Sequence, residues 1–145
     1  MINKKQLSLY DLFIRGAAMG LAAGIGLGLL LKAMEAATGM LVYTLLLNVD
    51  FIAFLPAEMP EALEFALHLA VSVPLGILYL WLVQRLGIRL WPGLALGLLT
   101  ACLWVPLTLA SNKVPAIDEG LALLLWTGAH LVYGCLLALF AGKRY

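Results

Sequence analysis

Charge is what this sequence has least of: Asp, Glu, Lys and Arg make up 12% of its 145 residues, against 64% hydrophobic residues. A soluble domain carries roughly 25% charged residues, so water is not the solvent this chain is built for. The net charge is +1, too small a field to draw nucleic acid, and no nucleic-acid partner is expected. Cysteine occurs only as Cys102 and Cys135, each inside an apolar run, where a thiol is expected to act as a small buried hydrophobe. Histidine is equally sparse, with His68 and His130 alone. Two histidines and two isolated cysteines give no metal-ligand spacing, so no metal and no cofactor is expected.

Long apolar runs fill the space that charge leaves. The first covers residues 12–31 and continues helically to 38, where Gly39 can end it. The second covers 61–86, with Glu61 and Glu64 in its first turns, where the helix dipole favours negative charge. The third covers 90–110, with Pro92 near its start, where proline is tolerated. The fourth covers 119–141. Each is long enough for a hydrocarbon core of about 30 Å. Lys4 and Lys5 ahead of an apolar run imitate a signal peptide. The run from Gly16 to Leu31 is long for that role and no small-x-small cleavage site follows, so a retained first helix is expected. The segment MLVYTLLLNVDFIAFLP, residues 40–56, is interrupted by Asn48 and Asp50 and closed by Pro56. It reads as an interfacial or half-buried element rather than a fifth span.

The expected fold is therefore an all-α four-transmembrane-helix bundle, a single integral membrane domain over 1–145. An extra interfacial segment joins its first two helices. Charge asymmetry predicts its orientation. Lys4, Lys5, Arg15, Arg85, Arg89, Lys143 and Arg144 flank the spans on one side, together with Asp11. Lys32 and Lys113 fall on the other, with Glu35, Asp50, Glu58, Glu61, Glu64, Asp118 and Glu119. Lys and Arg concentrate in cytoplasmic flanks, so both termini are expected in the cytoplasm of a bacterial inner membrane. Tyr10, Phe13, Trp81, Trp91, Phe140 and Tyr145 gather at the same basic side, as an interfacial aromatic belt would.

Glycine supplies the expected packing surfaces. Gly16, Gly20, Gly24 and Gly28 recur every four residues, with Gly26 beside them, and residues four apart share a helix face. Such a glycine zipper lets a second backbone approach closely. A dinucleotide fingerprint fails here because Leu29 stands where its third glycine belongs and no strand precedes it. Gly93 and Gly97 repeat the device in the third span, and Gly128 and Gly134 in the fourth. Pro74 and Pro106 are expected to interrupt the second and third helices.

Ionisable groups inside a membrane are costly and therefore functional suspects. Glu64, His68 and Ser72 lie four apart on one face, and His68 falls about 10 Å inside its helix at 1.5 Å per residue. Trp126, His130 and Gly134 share a face of the fourth helix, with Tyr133 one turn from His130. Thr100, Trp104 and Thr108 mark a polar, aromatic face of the third. Together Glu64, His68, Ser72, Trp104, Trp126 and His130 predict an outward-facing polar pocket. The imidazoles could exchange protons, with an unperturbed pKa of about 6.5, or could stay neutral and tie helices together. Neither a Ser-His-Asp, a His-Glu-x-x-His nor a Cys-His arrangement is legible, and no catalytic residue is predicted.

The second half resembles a known group of proteins. His68 through Tyr79, GIRLWPGLALG (residues 87–97), Pro106 and WTGAHLVYG (residues 126–134) are similar to small bacterial membrane proteins of the YagU and YqhR type. There a basic loop runs into an L/I-W-x-G-x-x-x-G helix start, and a final span carries a G-H-L-hydrophobic-aromatic pattern. The likeness covers residues 68–140, and the first helix joins it only through its glycines. It implies a helical cytoplasmic-membrane protein and, through the YagU type, a link to acid tolerance that would suit His68 and His130. It carries over no catalytic residue. The function expected first is a non-enzymatic accessory or stress-linked component, working with a membrane-protein partner or as a homo-oligomer. An oligomeric transporter, channel or proton-sensing subunit is the alternative, and a lipid-active enzyme the third.

Overall fold

A computed structural model describes residues 7–49, 52, 54–56 and 59–142. These residues form six helices and no strand: α1 (Leu9–Thr38), α2 (Val42–Leu47), α3 (Glu61–Leu86), α4 (Leu90–Ala101), α5 (Trp104–Ala110) and α6 (Gly120–Phe140). α1, α3, α4 with α5, and α6 are each long and apolar enough to cross a bilayer. The chain is a multi-pass helical membrane protein, and its spans form a four-helix bundle. Local sequence sets the ends of the helices. Ser8 accepts the Asp11 N–H at the start of α1, while Gly39 (φ 74°) and Gly87 (φ 72°) stop α1 and α3 in the left-handed conformation that glycine adopts freely.

Lipid tails are as apolar as Leu, so helices in a membrane gain by backbone proximity and close van der Waals contact rather than by burying apolar area. The glycines supply that proximity in two pairs. α1 lies antiparallel on α3: a Cβ added at Gly16 would stand 2.6 Å from Ile77 Cα, and one at Gly20 would strike the Ser72 carbonyl. At Gly24 it would meet the Ser72 hydroxyl, and at Gly28 the Phe65 ring. Gly76 of α3 faces the Gly16 carbonyl and Gly20 from the other side. α4 lies antiparallel on α6 in the same manner, with Gly93 against Gly134 and Gly97 against the His130 carbonyl. α1 and α6 join the two pairs. Gly128 departs from expectation, since nothing lies within 4 Å of the position a Cβ would take there.

The two prolines behave differently. α3 runs through Pro74 without a break. The third span does break, between Ala101 and Trp104, and Pro106 explains where. Its ring clashes with the carbonyl four residues back, Cys102, and it brings no N–H. The chain answers with a tightened turn, Leu103 N–H donating to Thr100 O at 3.0 Å. Beyond the break the backbone of α5 stands away from α3 and α6, and its Trp104 side chain keeps contact with Trp126.

The segment after α1 turns back into the end of the bundle as α2. Val42 and Leu45 are fully buried, and Tyr43 and Leu47 nearly so. The Glu35 carboxylate seats α2 by accepting the Tyr43 and Thr44 N–H groups at 2.7 and 2.9 Å and the Thr44 hydroxyl at 2.8 Å. Residues 42–47 are thus a plug packed between helices rather than a helix resting on the surface. Cys102 and Cys135, expected inside, are exposed on the outside of the bundle: Cys102 lies in the break between α4 and α5, and Cys135 falls outside the packed face of α6.

Arg15, Arg85 and Arg89 gather at the end of the bundle where α1 begins, and Lys32, Glu35, Glu61, Glu64, Lys113, Asp118 and Glu119 at the other. Tyr10, Phe13, Trp81, Trp91 and Phe140 project from the basic end. Lys4, Lys5, Asp50, Glu58, Lys143, Arg144 and Tyr145 lie outside the described residues. At the basic end the Arg89 guanidinium donates to the Gly142 carbonyl, tying the α3–α4 turn to the end of α6.

The glycine contacts predict a sharp contrast. Gly20→Ala and Gly97→Ala each drive a methyl into a backbone carbonyl that has no room to move, a loss of about 1–3 kcal/mol. Gly128→Ala meets nothing and removes backbone freedom from the unfolded chain, a gain of about 0.5–1 kcal/mol. Thermal unfolding in detergent should therefore fall for the first two and hold or rise for the third. Equal midpoints for all three would refute the packing account.

Candidate functional site

The divergence of α5 from α3 leaves a cavity of about 350 Å³ in the half of the bundle nearer the acidic end. α3 supplies one wall, α5 and the end of α4 the opposite one, and α6 the floor. Leu46, Asn48, Val49 and Ile52 cover its acidic end. Of the residues singled out from sequence, Glu64, His68, Ser72, Trp126 and His130 line this one cavity. Trp104 does not. It lies behind Trp126, with ring centroids 6.3 Å apart, and its indole N–H donates to Ile117 O.

Most of the lining is Leu, Val, Ile and Ala, so the few polar atoms define what the space can hold. The donors at its deep end are committed to partners. His68 Nε2 is 3.1 Å from Gly24 O, and His130 Nδ1 is 2.8 Å from Trp126 O. A carbonyl only accepts, so both of these ring nitrogens carry hydrogen. In the neutral rings that leaves His68 Nδ1 and His130 Nε2 as acceptors. The Ser72 hydroxyl donates its single hydrogen to Gly20 O at 2.8 Å. The Tyr133 hydroxyl, 3.2 Å from Ser72 Oγ, must therefore be the donor in that pair. Trp126 gives its indole N–H to Ala101 O at 3.0 Å, beside the break in the third span. Thr100 bonds back to Leu96 O and Gly97 O.

Helix packing fixes these positions. Gly20 and Gly24 let α3 approach α1 closely enough for Ser72 and His68 to reach their carbonyls. Gly97 lets α4 sit directly on the His130 turn. His130 packs against Trp126 in a tilted contact, ring centroids 4.2 Å apart and planes at 45°, and is 3% exposed. Tyr133 belongs to the site although the sequence drew attention to it only as a neighbour of His130. Its spacing of seven from Trp126 places it on the same face and was the available signal. Asn48, Val49 and Ile52 carried no such signal, because the path of the chain after α2 is set by tertiary contacts.

A second, more polar cavity of about 450 Å³ opens at the acidic end, among Lys32, Glu35, Tyr43, Glu61 and Lys113. Glu64 and Asn48 line both cavities. Glu61 accepts from Lys32 at 2.5 Å and from the Tyr43 hydroxyl at 2.8 Å. The Lys32–Glu61 pair is more than half exposed on both sides, so it orients Tyr43 more than it stabilises the fold. Burial, followed by the hydrogen bond to Glu61 and the carboxylates around it, pushes the Tyr43 hydroxyl up from 10.0 to about 12. Among the described residues no group of three His, Cys, Asp or Glu is placed to hold a metal ion.

The fold and this site define a class: a helical membrane protein with an apolar cavity between its spans and a polar vestibule at one end. Comparison with protein-family models, with curated proteins and with solved structures finds no match for the chain.

The raised Tyr43 value makes an alkaline prediction. A folded-state pKa above the unfolded one contributes stability that is complete below pH 10 and is lost as pH rises towards about 12. Loss of the unfolding midpoint across that window should be smaller in Tyr43→Phe than in the unmodified protein. An identical loss in both would show that Tyr43 ionises as freely in the fold as outside it.

Proposed function

We propose that this protein is a non-enzymatic component of a bacterial cytoplasmic membrane that binds a small lipophilic molecule in its intramembrane cavity. The observation carrying this reading is the cavity itself, apolar along its walls and bearing a few fixed polar atoms on its floor. That is the usual character of a small-molecule site. Val71 and Leu103, on facing walls, are 58% and 46% exposed, which favours entry sideways from the bilayer. Catalysis has less support. Ser72 gives its hydrogen to Gly20 O rather than to an imidazole, so it forms no nucleophile–base pair. The likeness of residues 68–140 to the YagU and YqhR type supports the bacterial membrane setting. An accessory or stress-linked role follows if the bound molecule reports on the state of the bilayer.

Organic extraction of purified protein followed by mass spectrometry tests the reading. A lipophilic molecule should be recovered in near-equimolar amount from the unmodified protein and be lost from Leu103→Trp, which fills the cavity. Recovery of nothing from either would overturn it. A proton-sensing or transport subunit is the second reading. It is favoured by Glu64 and Asn48, which join the His68 cavity to the polar vestibule, and it needs an oligomer to complete a path. An empty cavity together with proton flux in vesicles, lost in His68→Gln, would move the assignment there.

The basic end with its aromatic belt supports cytoplasmic placement of both termini. With Cys102 and Cys135 replaced by Ala, Asn112→Cys should react with an impermeant maleimide on intact spheroplasts, and Ser8→Cys only after lysis. The reverse pattern would invert the orientation.

A further inference from the structure

The hydrogen-bond pattern of the cavity says more about its occupant than the volume does. His130 is 3% exposed. Its Nδ1 is turned back to Trp126 O in its own helix, so Nε2, across the ring, points away from the α6 backbone. No described residue bonds that Nε2. His68 repeats the arrangement from the facing wall, with Nε2 spent on Gly24 O and Nδ1 without a described partner. The hydroxyls between them have already given their hydrogens away: Ser72 to Gly20 O, and Tyr133 to Ser72. Trp126 N–H is spent on Ala101 O, and the Thr100 hydroxyl on its own helix. The deep end of the cavity therefore offers lone pairs without matching donors. A lone pair that faces the cavity and meets no protein donor favours an occupant that donates, and one that only accepts gains no hydrogen bond there.

We propose that the molecule bound in this cavity is a lipophilic hydrogen-bond donor, an alcohol or other neutral O–H or N–H compound, whose head donates to His130 Nε2. This rests on the reading of the cavity as a lipophile site and adds the chemistry of the head group. The walls suit an apolar body. At about 30 Å³ for each water-sized unit of liquid volume, a space of about 350 Å³ accepts roughly a dozen heavy atoms. A neutral head fits better than an ion, since an unpaired charge in such surroundings is expensive. Among the described residues Glu64 is the one carboxylate lining the cavity, and it stands about two turns before Ser72 on α3, where it also lines the vestibule.

Two probes of equal size separate the donor from the body: 1-decanol, which donates, and 1-methoxynonane, which only accepts. Each is titrated at matched bilayer mole fraction into nanodiscs holding the full chain labelled with ¹⁵N at histidine and tryptophan. Before any addition, His130 should show the Nδ1–H tautomer. An Nε2–H tautomer would overturn the proposal at once. Both probes should shift the Trp126 indole signal as they enter. Only 1-decanol should move His130 Nε2 upfield, and it should half-saturate at a roughly fivefold lower mole fraction, the effect of about one net hydrogen bond. His130→Phe keeps an aromatic ring against Trp126 while removing the acceptor, and should make the two probes equivalent. The comparison in the unmodified protein decides the matter even if that variant does not fold. Equal saturation by both probes would overturn the donor chemistry and leave the lipophile site standing. No shift of Trp126 with either probe would remove the site as well.

Discussion

Backbone proximity between α1 and α3 is the constraint on which the rest of this structure depends. With lipid around the bundle, apolar area gives the helices little reason to associate, and what remains is close contact and polar exchange between backbones. Gly16, Gly20, Gly24 and Gly28 make the contact. They also leave their carbonyls within reach of the neighbouring helix, and Ser72 and His68 use two of them. A carbonyl has two lone pairs, so it can keep its helical bond and accept a second. The same residues thus pack the bundle and fix which nitrogen of His68 carries hydrogen.

The other pair of helices repeats the scheme with a different result. Gly93 and Gly97 seat α4 on α6, and the chain then leaves that contact where Pro106 forbids a regular helix. Pro74 produces no such break, although it removes the same N–H. The difference lies in the surroundings. α3 is held against α1 on both sides of Pro74, through Ser72 and Gly76, whereas α5 has no comparable neighbour among the described residues. A proline bend is permitted where packing is weak, and here the bend makes the cavity.

Much of this was legible in the sequence for physical reasons. Span number follows from run length, and the segregation of charge follows from the cost of carrying it across lipid. The α1 glycine face follows from a four-residue spacing. Glu64, His68, Ser72, Trp126 and His130 could be grouped because helical periodicity puts each set on one face. What was not legible depended on rotation and on contacts distant in sequence. Cys102 and Cys135 sit in apolar runs whether they face lipid or protein, so composition could not place them. Trp104 shares a face with Thr100, yet the break after Ala101 turns it behind Trp126. The burial of α2 depends on Glu35 reaching eight residues forward to the Tyr43 N–H, a contact that no periodicity announces.

The polar atoms inside the spans then have a consistent logic. Each donor at the deep end of the cavity is consumed by a backbone carbonyl or by Ser72. Those of His68, Ser72 and Trp126 reach a neighbouring helix and hold it in register, and those of His130 and Thr100 stay within their own helices. Donors are used up first because the backbone of a neighbouring helix offers only carbonyls: its N–H groups are already bonded within the helix. Side chains that tie membrane helices together through the backbone must therefore donate. A histidine that has donated keeps a lone pair on its other nitrogen. The acceptor character of this cavity thus follows at His68 from a bond that ties α3 to α1, and at His130 from a bond closed within α6.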